Sequence, residues 1–519
     1  MRVSNFRGAD FSVAMMQNFR KYLFVLILIL AVVQQVLLRG YTMDDAFISF
    51  RYARNVAQGL GWVYNPGGPQ VEGFSNFLWT LMFIPAYGLK LNPMIVAQVM
   101  GSLCSLVVLW LTWKMAQSGV ENRLGLAPLW APFLTAITGS FTYQAVTGLE
   151  THLFTLGLVG GVFFFLRRDR QSLLYSALFF VVASLTRPEG PVLFGISLIF
   201  LIIALSRRQI DSIPLVYFIT AYALPMVLYL LWRKNTFGHW LPNTYYAKVG
   251  SPWEMLPGGL TYVYEFFRNH GAALPWIIAL IPLIWHRRRN REVYLITLLF
   301  AWLAVVIYEG GDWMPLHRML SPILPVLFIL VAEGLDILYR EWVRIRQERN
   351  FPKVLSGSLF SLWILAIVAV LGYPSLAVIK ESFRRPALYE NSHVALGKWL
   401  KAKTEPQDKI ALSDIGQIGY FSERPVIDLV GLTDPVIARS PGKLHQKQYD
   451  PLYVLDQKPK FIVLVCYKDK GEYRIRGFET EMRLYQQPRF QEEYFLKPVI
   501  SQKFHYKDEY TYLVFERKG

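Results

Sequence analysis

The fold is decided by residues 22–38, YLFVLILILAVVQQVLL, and by the polar run that follows them, residues 41–52, YTMDDAFISFRY. The first run is almost wholly apolar, and about 20 such residues are enough to cross the hydrocarbon core of a bilayer. No small-residue cleavage site follows it, so we expect a retained first helix and not a cleaved signal peptide. The sequence therefore predicts a membrane helix that leads directly into an acidic loop.

The composition of the whole chain is typical of a membrane protein. Of its 519 residues, 53% are hydrophobic and only 18% are charged, against roughly 25% in soluble domains. The mean hydropathy is +0.29. The net charge of +17 comes mainly from Arg and Lys clusters between apolar runs, which is how membrane helices are oriented, and this argues against nucleic-acid binding. Cys104 and Cys466 provide neither a disulfide framework nor a zinc-binding spacing.

Eleven apolar runs are long enough to be spanning helices. They lie at 21–39, 94–114, 124–142, 150–166, 171–186, 190–206, 213–232, 273–286, 292–308, 318–339 and 354–378. If the N-terminus is cytoplasmic, every second connection should be cytoplasmic and basic, and the arginine clusters at 167–170, 287–291 and 340–349 fall in such connections. The sequence therefore predicts a multi-pass protein of the bacterial inner membrane, with a cytoplasmic N-terminus and a C-terminal part on the periplasmic side.

Two further regions lie outside these spans. Residues 77–89 are apolar but too short to cross the membrane, so we expect an interfacial helix within a long first external loop, 40–93. From about residue 385, short apolar runs at 409–413, 425–430 and 461–465 indicate buried strands, some separated by helical patterns. The expected domains are a transmembrane domain, 1–384, and a small extracytoplasmic α/β domain, 385–519.

The unusual polar motifs all fall in the predicted external connections. They begin near residues 41, 147, 186, 241 and 309. The cytoplasmic connections are short and basic and contain no glycine-rich phosphate loop. Because the outer compartment lacks nucleotide sugars and ATP, a transferase working there needs an activated group already attached to a lipid. A polyprenyl-phosphate sugar meets this requirement.

The adjacent acids Asp44 and Asp45 are the strongest catalytic candidates. In a helix, Asp44 and Arg51 would share a face, so a carboxylate and a guanidinium could enter one cavity. Displacing a sugar from a lipid phosphate needs a base for the acceptor hydroxyl and little acid help, because the leaving phosphate is a weak base. Burial or a neighbouring like charge would raise the pKa of that base toward working pH. The alternative is that the acids cap a helix.

Other residues of these motifs are candidates for binding the donor phosphate or sugar. They are Arg51, Arg187, Tyr245, Tyr246, Lys248, His317 and Arg318. Three acids are expected to line the same cavity: Glu150, Glu189 and Asp312. Arginine suits bidentate phosphate contacts; the alternatives are interfacial anchoring, helix capping and a structural ion pair between Arg187 and Glu189. No cofactor is required, and a divalent metal is possible without any spacing that demands it.

The motifs also resemble those of a known family. The runs DDAFISFRYARN, GWVYNPG and VEGFSNFLWT are similar to the first loop of the mycobacterial terminal β-(1→2)-arabinofuranosyltransferase family. TGLET, LTRPEG, PNTYYAK, GGDWMP and GYFSERPVIDLVGLTD look like further signatures, so the resemblance spans about 41–435. These are membrane glycosyltransferases of the GT-C fold. The resemblance implies that Asp44 is the base, with Asp45 as its partner or substitute, and that a decaprenyl-type phosphoryl-arabinofuranose donor reacts with inversion.

Taken together, the sequence predicts an α-helical polytopic GT-C transferase, monomeric, that moves arabinofuranose to an envelope glycan, lipid or protein. The end of the chain matches no signature and leaves the acceptor open. Transfer of mannose or aminoarabinose by the same fold is the first alternative. A transporter or flippase would instead show midplane charges and repeats, and a non-catalytic subunit would anchor an outer envelope complex through the C-terminal domain.

Overall fold

The chain is described here by a computed structural model. It describes residues 4–40, 42–120, 125–269, 273–285, 290–314, 316–348, 390–469, 472–474, 478–497, 505–507 and 510–518, with a few single positions between 365 and 373. The predicted span at 354–378 therefore lies outside the described residues, apart from those single positions.

Helices form the whole of the described chain before residue 349, apart from their connections. They are α1 (Ser4–Leu38), α2 (Ala46–Ala57), α3 (Phe77–Gly88), α4 (Pro93–Gly119), α5 (Trp130–Ile137), α6 (Gly139–Gln144), α7 (Thr151–Phe165), α8 (Arg170–Thr186), α9 (Gly190–Ser206), α10 (Ser212–Phe237), α11 (Asn243–Lys248), α12 (Pro252–Asn269), α13 (Ala273–Trp285), α14 (Asn290–Tyr308) and α15 (Leu324–Glu348). Short 3₁₀ turns, Ala127–Leu129 and Arg318–Ile323, precede α5 and α15.

The long apolar helices agree with the predicted spans. Within the described residues, five helices are long and apolar enough to cross a membrane: 15–38, 93–119, 212–237, 290–308 and 318–348, and the pair formed by α12 and α13 would make a sixth. Helices α7, α8 and α9 are shorter apolar helices that correspond to three further predicted spans. The span 318–348 lies in the middle of the bundle, because its apolar part is completely buried by its neighbours.

The predicted span at 124–142 is broken in the structure. It consists of the turn Ala127–Leu129 followed by α5 and α6, and the helix stops at Thr138, whose backbone is extended. In the predicted first external loop, 40–93, the apolar run at 77–89 forms α3 as expected, and α2 begins immediately after the two acids. The loop is therefore a folded helical unit.

The C-terminal domain contains a seven-stranded mixed sheet. After a π-helical turn, Glu390–Val394, its elements are α16 (Ala395–Lys403), β1 (Ile410–Leu412), α17 (Gln417–Ser422), β2 (Val426–Asp428), α18 (Pro435–Arg439), α19 (Leu452–Asp456), β3 (Phe461–Asp469), β4 (Glu472–Arg474), α20 (Glu479–Tyr485), α21 (Pro488–Glu493), β5 (Tyr494–Leu496), β6 (His505–Lys507) and β7 (Tyr510–Arg517). The main strand order is β2-β1-β3-β7-β5, with β1 parallel to β2 and β3, and β7 antiparallel to β3 and β5. The predicted strands at 409–413, 425–430 and 461–465 are β1, β2 and β3.

The two faces of this sheet are buried against different partners, because successive side chains of a strand point to opposite faces. Ala411 and Ile462 face a cluster built from the domain's own helices, which includes Leu484. Ile410 and Val463 face a cluster that includes aromatic residues of the first external loop: Tyr52, Tyr64 and Phe74. The sheet and the first external loop therefore share one hydrophobic core, and this fixes the C-terminal domain over the acids at 44 and 45.

Candidate active site

Asp44 is held by the backbone of the C-terminal domain. One carboxylate oxygen accepts a hydrogen bond from the Gly416 N–H at 2.9 Å, and the other accepts one from the Gln417 N–H at 2.6 Å. We call this arrangement the Asp44 clamp. A Cβ atom at Gly416 would overlap the backbone oxygen and the carboxylate of Asp44, so the approach requires glycine. Asp44 thus joins the first external loop to the start of α17.

Burial is the main influence on the Asp44 carboxyl, whose exposed fraction is only 9%. Burial raises its pKa well above the ordinary value, and the negative charge of Asp414 raises it further, although the hydrogen bond from Gln417 lowers it. Both of its oxygens already accept backbone hydrogen bonds. Asp44 is therefore placed to hold structure more than to receive a substrate.

Asp45 occupies a more open position at the start of α2. Its side chain is partly exposed and forms no hydrogen bond with any other described residue, and it does not cap the helix. Burial raises its pKa, the positive charges of Lys248 and Arg318 lower it, and Asp414 and Glu150 raise it. A carboxylate without a hydrogen-bond donor therefore lies among charged groups from four other segments. The helix-capping alternative is not what the structure shows.

Five of the predicted charged residues form one network of hydrogen bonds and ion pairs beside Asp45. The Arg187 guanidinium binds Glu189 at 2.5 Å and Glu150 at 3.3 Å. Arg318 donates to Asp312 at 2.9 Å and lies 3.8 Å from Glu150. Glu150 also accepts a hydrogen bond from the Asn76 side chain at 3.0 Å. The structure therefore brings together Glu150, Arg187, Glu189, Asp312 and Arg318, although they come from three separate connections.

Glu309 belongs to the same network and was not singled out from the sequence. Burial, and then the negative charge of Glu189, raise the pKa of Glu309 to about 9, although Arg187 lowers it. At neutral pH Glu309 is therefore protonated, which allows it to share a hydrogen bond with Glu189. The sequence signal was weak, because a glutamate before Gly310 and Gly311 is also what a helix end looks like.

The connection that carries α11 supplies Lys248, the cation that lowers the pKa of Asp45 most. Lys248 is exposed and, within the part of the chain that the structure describes, its ammonium has no hydrogen-bond partner. Its charge acts on Asp45, Glu309 and His445. Tyr245 is exposed beside it, and the ring of Tyr246 lies 4.8 Å from the Arg439 guanidinium carbon. Lys248 is thus free to bind an anion, with both tyrosines next to it.

Two residues predicted to bind phosphate are placed for other roles. The His317 ring lies in edge contact with Tyr262 at 4.9 Å and Phe266 at 5.6 Å, and burial lowers its pKa, so it is neutral at pH 7. Arg51 is 1% exposed and donates to the backbone oxygens of Tyr64, Gly419 and Arg424. His317 packs among aromatic rings and Arg51 joins α2 to the C-terminal domain, so these contacts do not support the prediction that both bind the donor phosphate, which stays a prediction.

We expect Arg51→Lys to destabilise the protein without changing the affinity of its folded fraction for a donor. A lysine cannot reproduce the planar fork of donors, and each backbone oxygen left unsatisfied costs about 1–3 kcal/mol. The melting temperature of the purified protein in detergent should fall. The exposed Arg483→Lys, which affects only a helical pair with Glu479, should leave it unchanged. If Arg51→Lys instead weakens donor binding and leaves the melting temperature unchanged, Arg51 binds the donor phosphate.

The C-terminal domain adds an acid that was also missed, Asp414. It follows β1, and its charge acts on both Asp44 and Asp45. Ligands of open α/β sheets bind outside the carboxyl ends of parallel strands, and that rule applied to β1 would have pointed to Asp414. Among the described residues, no three His, Cys, Asp or Glu side chains are grouped as a metal ion would require.

Comparison with known proteins supports the architecture. Residues 382–515 match a family model described as a domain of unknown function, DUF8728. The terminal β-(1→2)-arabinofuranosyltransferase of Mycobacterium tuberculosis is 27% identical over 386 residues, which cover 70% of this chain and 56% of that protein. The chain thus spans little more than half the length of this curated relative.

Two solved structures are similar over nearly the whole chain. ArnT from Cupriavidus metallidurans, bound to undecaprenyl phosphate, has a TM-score of 0.56 and 14% identity, covering 94% of this chain and 97% of that one. The archaeal oligosaccharyltransferase AglB from Archaeoglobus fulgidus, in complex with an inhibitory peptide and a dolichol-phosphate, has a TM-score of 0.57 and 11% identity, covering 92% and 79%. The predicted fold class is confirmed: this is a multi-pass helical membrane protein of the GT-C fold with a small C-terminal sheet domain.

Proposed function

We propose that this chain is an inverting membrane glycosyltransferase that moves arabinofuranose from a polyprenyl-phosphate donor to a hydroxyl of a cell-envelope acceptor. The proposed site faces the outer side of the bacterial inner membrane, with the N-terminus in the cytoplasm. The observation that carries the proposal is Asp45, a partly exposed carboxylate without a hydrogen-bond donor, with Lys248 and Arg318 close enough to act on it. A base and two cations are the groups that this displacement needs.

The donor class is supported by the similar proteins. The ArnT structure contains undecaprenyl phosphate and the AglB structure contains a dolichol-phosphate, so two proteins of this fold hold lipid phosphates. Arabinofuranose as the transferred sugar is supported by the name of the mycobacterial relative. The acceptor is a glycan, lipid or protein of the envelope, reached from the side on which the C-terminal domain lies.

The reaction is a single displacement at the anomeric carbon. Asp45 takes the proton of the acceptor hydroxyl while the oxygen of that hydroxyl forms the new bond to the anomeric carbon. The bond to the phosphate oxygen breaks on the opposite face, and its electron pair stays on the lipid phosphate, whose charge Lys248 and Arg318 balance. One displacement inverts the configuration. Burial raises the pKa of Asp45, which makes it a better base than an exposed aspartate.

The buried network has a positioning role in this scheme. Arg318 is held by Asp312, and Arg187 is held by Glu189 and Glu150, so the cations keep fixed places before a donor arrives. Such preorganised charges need no rearrangement as the leaving phosphate develops its charge. The Asp44 clamp serves the same purpose for the base, because it fixes the residue next to Asp45.

The proposal is tested with the purified chain in nanodiscs, a synthetic farnesyl-phosphoryl arabinofuranose and octyl arabinofuranoside as acceptor. We expect a disaccharide whose new linkage is inverted relative to the donor, identified by NMR. The same assay is run with the farnesyl-phosphoryl donors of mannose and aminoarabinose. If product forms only with one of these, the proposed type of reaction stands but the transferred sugar is not arabinofuranose. Flux of a lipid-linked sugar across the membrane without any product would favour a transporter.

We expect Lys248→Gln to raise the KM for the donor by about tenfold or more, because a hydrogen bond to a charged group of this kind is lost. The KM for the acceptor should change little. Lys90→Gln is the matched control, since Lys90 is an exposed lysine whose side chain has no contact with the described site residues. Equal donor KM values for the two variants would show that Lys248 does not bind the donor phosphate.

A further inference from the structure

The short helix α11 is fixed at its first residue, Asn243, which is 5% exposed. Its backbone N–H donates a hydrogen bond to the Glu72 carbonyl oxygen at 3.0 Å. Its side-chain amide donates to the carbonyl oxygens of Gly431 at 2.8 Å and Leu432 at 3.0 Å, and its Oδ1 accepts from Arg439 at 3.3 Å. Asn243 therefore joins α11 to the predicted first external loop on one side and to the C-terminal domain on the other.

The other end of α11 is held by a buried lysine of the C-terminal domain, Lys447. Its ammonium donates to the carbonyl oxygens of Tyr246 at 2.7 Å and Ser440 at 3.3 Å, and its exposed fraction is 3%. Lysine is almost never buried unless its charge has partners, and here one partner is the backbone of α11 two residues before Lys248. Both ends of this six-residue helix are therefore bound to the same domain.

The turn after β2 that binds α11 is organised by a buried carboxylate. Asp428 is 0% exposed; one of its oxygens accepts from the N–H groups of Val430 and Gly431, and the other accepts from the N–H and the hydroxyl of Thr433. Gly431 has φ +87°, and a Cβ there would overlap the backbone nitrogen of Ala438. The turn therefore presents its carbonyl oxygens to α11 in one fixed direction.

The same turn also contacts the predicted first external loop. A Cβ at Gly73 would overlap the Thr433 methyl group and crowd the Leu432 carbonyl oxygen, so the two segments approach as closely as glycine allows. The preceding residue, Glu72, is buried, and its carboxylate accepts a hydrogen bond from Arg233 of α10 at 3.1 Å. The junction therefore unites three of the signature runs in the sequence: VEGFSNFLWT, PNTYYAK and GYFSERPVIDLVGLTD.

The position of Lys248 depends on this junction. Its ammonium has no hydrogen-bond partner among the described residues, and its charge acts on Asp45 and Glu309. A lysine charge sits on a flexible stem of four carbons, so the backbone of α11 sets where that charge can reach. A displaced helix would carry the cation away from the donor phosphate, and the donor would have to draw it back at a cost in affinity.

We propose that the C-terminal domain positions the cation that binds the donor phosphate, with Asn243 and Lys447 as the positioning residues for Lys248. The inference rests on the proposed function and gives the C-terminal domain a role in donor binding. Neither positioning residue needs to touch the donor, since both are buried in contacts with backbone oxygens. Because the same domain also holds Asp44, it sets the places of the base and of the cation together.

The test uses Asn243→Leu and Lys447→Met in the full-length protein in nanodiscs. Each change keeps the approximate size of the side chain and removes its hydrogen bonds to backbone oxygens. The KM for farnesyl-phosphoryl arabinofuranose should rise by about three- to tenfold, because the cation is displaced and not lost. The KM for octyl arabinofuranoside should stay unchanged. The dissociation constant of farnesyl phosphate, measured by microscale thermophoresis, should rise by the same factor as the donor KM.

A double variant separates the positioning of Lys248 from a general loss of structure. Once Lys248→Gln has removed the cation, Asn243→Leu has nothing left to misplace, so the donor KM should rise no further. A structural defect would instead lower the active fraction and the melting temperature in either background. Lys458→Met is the matched control for Lys447→Met, because Lys458 is an exposed lysine of the same domain, and it should change neither KM.

Three outcomes would overturn the inference: an unchanged donor KM in both single variants, equal changes in the donor and acceptor constants, or the same factor for Asn243→Leu with and without Lys248. A wild-type protein that forms no product would overturn the proposed function instead, and the farnesyl phosphate measurements would then decide the inference by themselves. A wild-type protein that does not bind farnesyl phosphate would overturn both.

Discussion

Asp45→Asn is expected to lower sugar transfer by about 10²–10⁴-fold, the contribution of a positioned general base. The amide has the shape of the carboxylate but cannot take the proton of the acceptor hydroxyl. The KM for farnesyl-phosphoryl arabinofuranose should stay near the wild-type value, because Lys248 and Arg318 are unchanged. The measurement is a steady-state transfer assay in nanodiscs, with melting temperature as the check on folding.

Azide distinguishes the two adjacent acids. It is an anion and needs no base, so in Asp45→Ala it should attack the anomeric carbon, expel the lipid phosphate and give an inverted glycosyl azide. Asp44→Ala should also lose transfer, but azide should not restore it, because that variant lacks the Asp44 clamp. Rescue of Asp44→Ala instead of Asp45→Ala would make Asp44 the base, as the resemblance alone implies.

Gly416→Ala should cost about 10²-fold in kcat, although residue 416 lies far from Asp45 in the sequence. Its Cβ would overlap the backbone oxygen and carboxylate of Asp44, so the loop after β1 must move away. A displacement of about 1 Å at a catalytic group is enough for a loss of this size. The loss should appear in kcat for every acceptor, because the base itself is misplaced.

Gly195→Ala is the matched control for that experiment. Gly195 lies within α9, and a Cβ there meets nothing within 4 Å. The substitution should therefore leave transfer unchanged and slightly favour the helix, because alanine is the better helix former. If Gly416→Ala were as harmless as this control, the Asp44 clamp would have no part in catalysis.

Local patterns of apolar and polar residues were sufficient to predict most of the helices and the first strands of the sheet. The apolar runs of α1, α4 and α10, and the short strands β1 and β2, stand out because each is continuous and bounded by polar or turn residues. Strand β5 was not predicted, because only Tyr494 of its three residues is buried. The break of the helix at Thr138 depends on packing and has no equally clear local signal.

Only part of the site was predicted, because many of its contacts join segments that are far apart in the sequence. The motifs around Asp45, Lys248 and Arg318 were identified because charged residues at helix ends are unusual. The helical face that Asp44 shares with Arg51 was also anticipated, but that face meets the C-terminal domain, where Gly419 binds Arg51 and Gln417 binds Asp44 from more than 360 positions away. Periodicity cannot show such contacts, so the role of Arg51 in joining α2 to the C-terminal domain was not predicted and Asp414 was missed.

The core that the sheet shares with the first external loop has a consequence for biosynthesis. Tyr52 and Tyr64 leave the ribosome early, but they pack against Ile410, Val463 and Val514, which leave it about 350 residues or more later. Until β7 has paired with β3, the aromatic residues of this loop lack the sheet side of their core. A nascent or truncated copy would thus hold its membrane helices before the site around the two acids is complete.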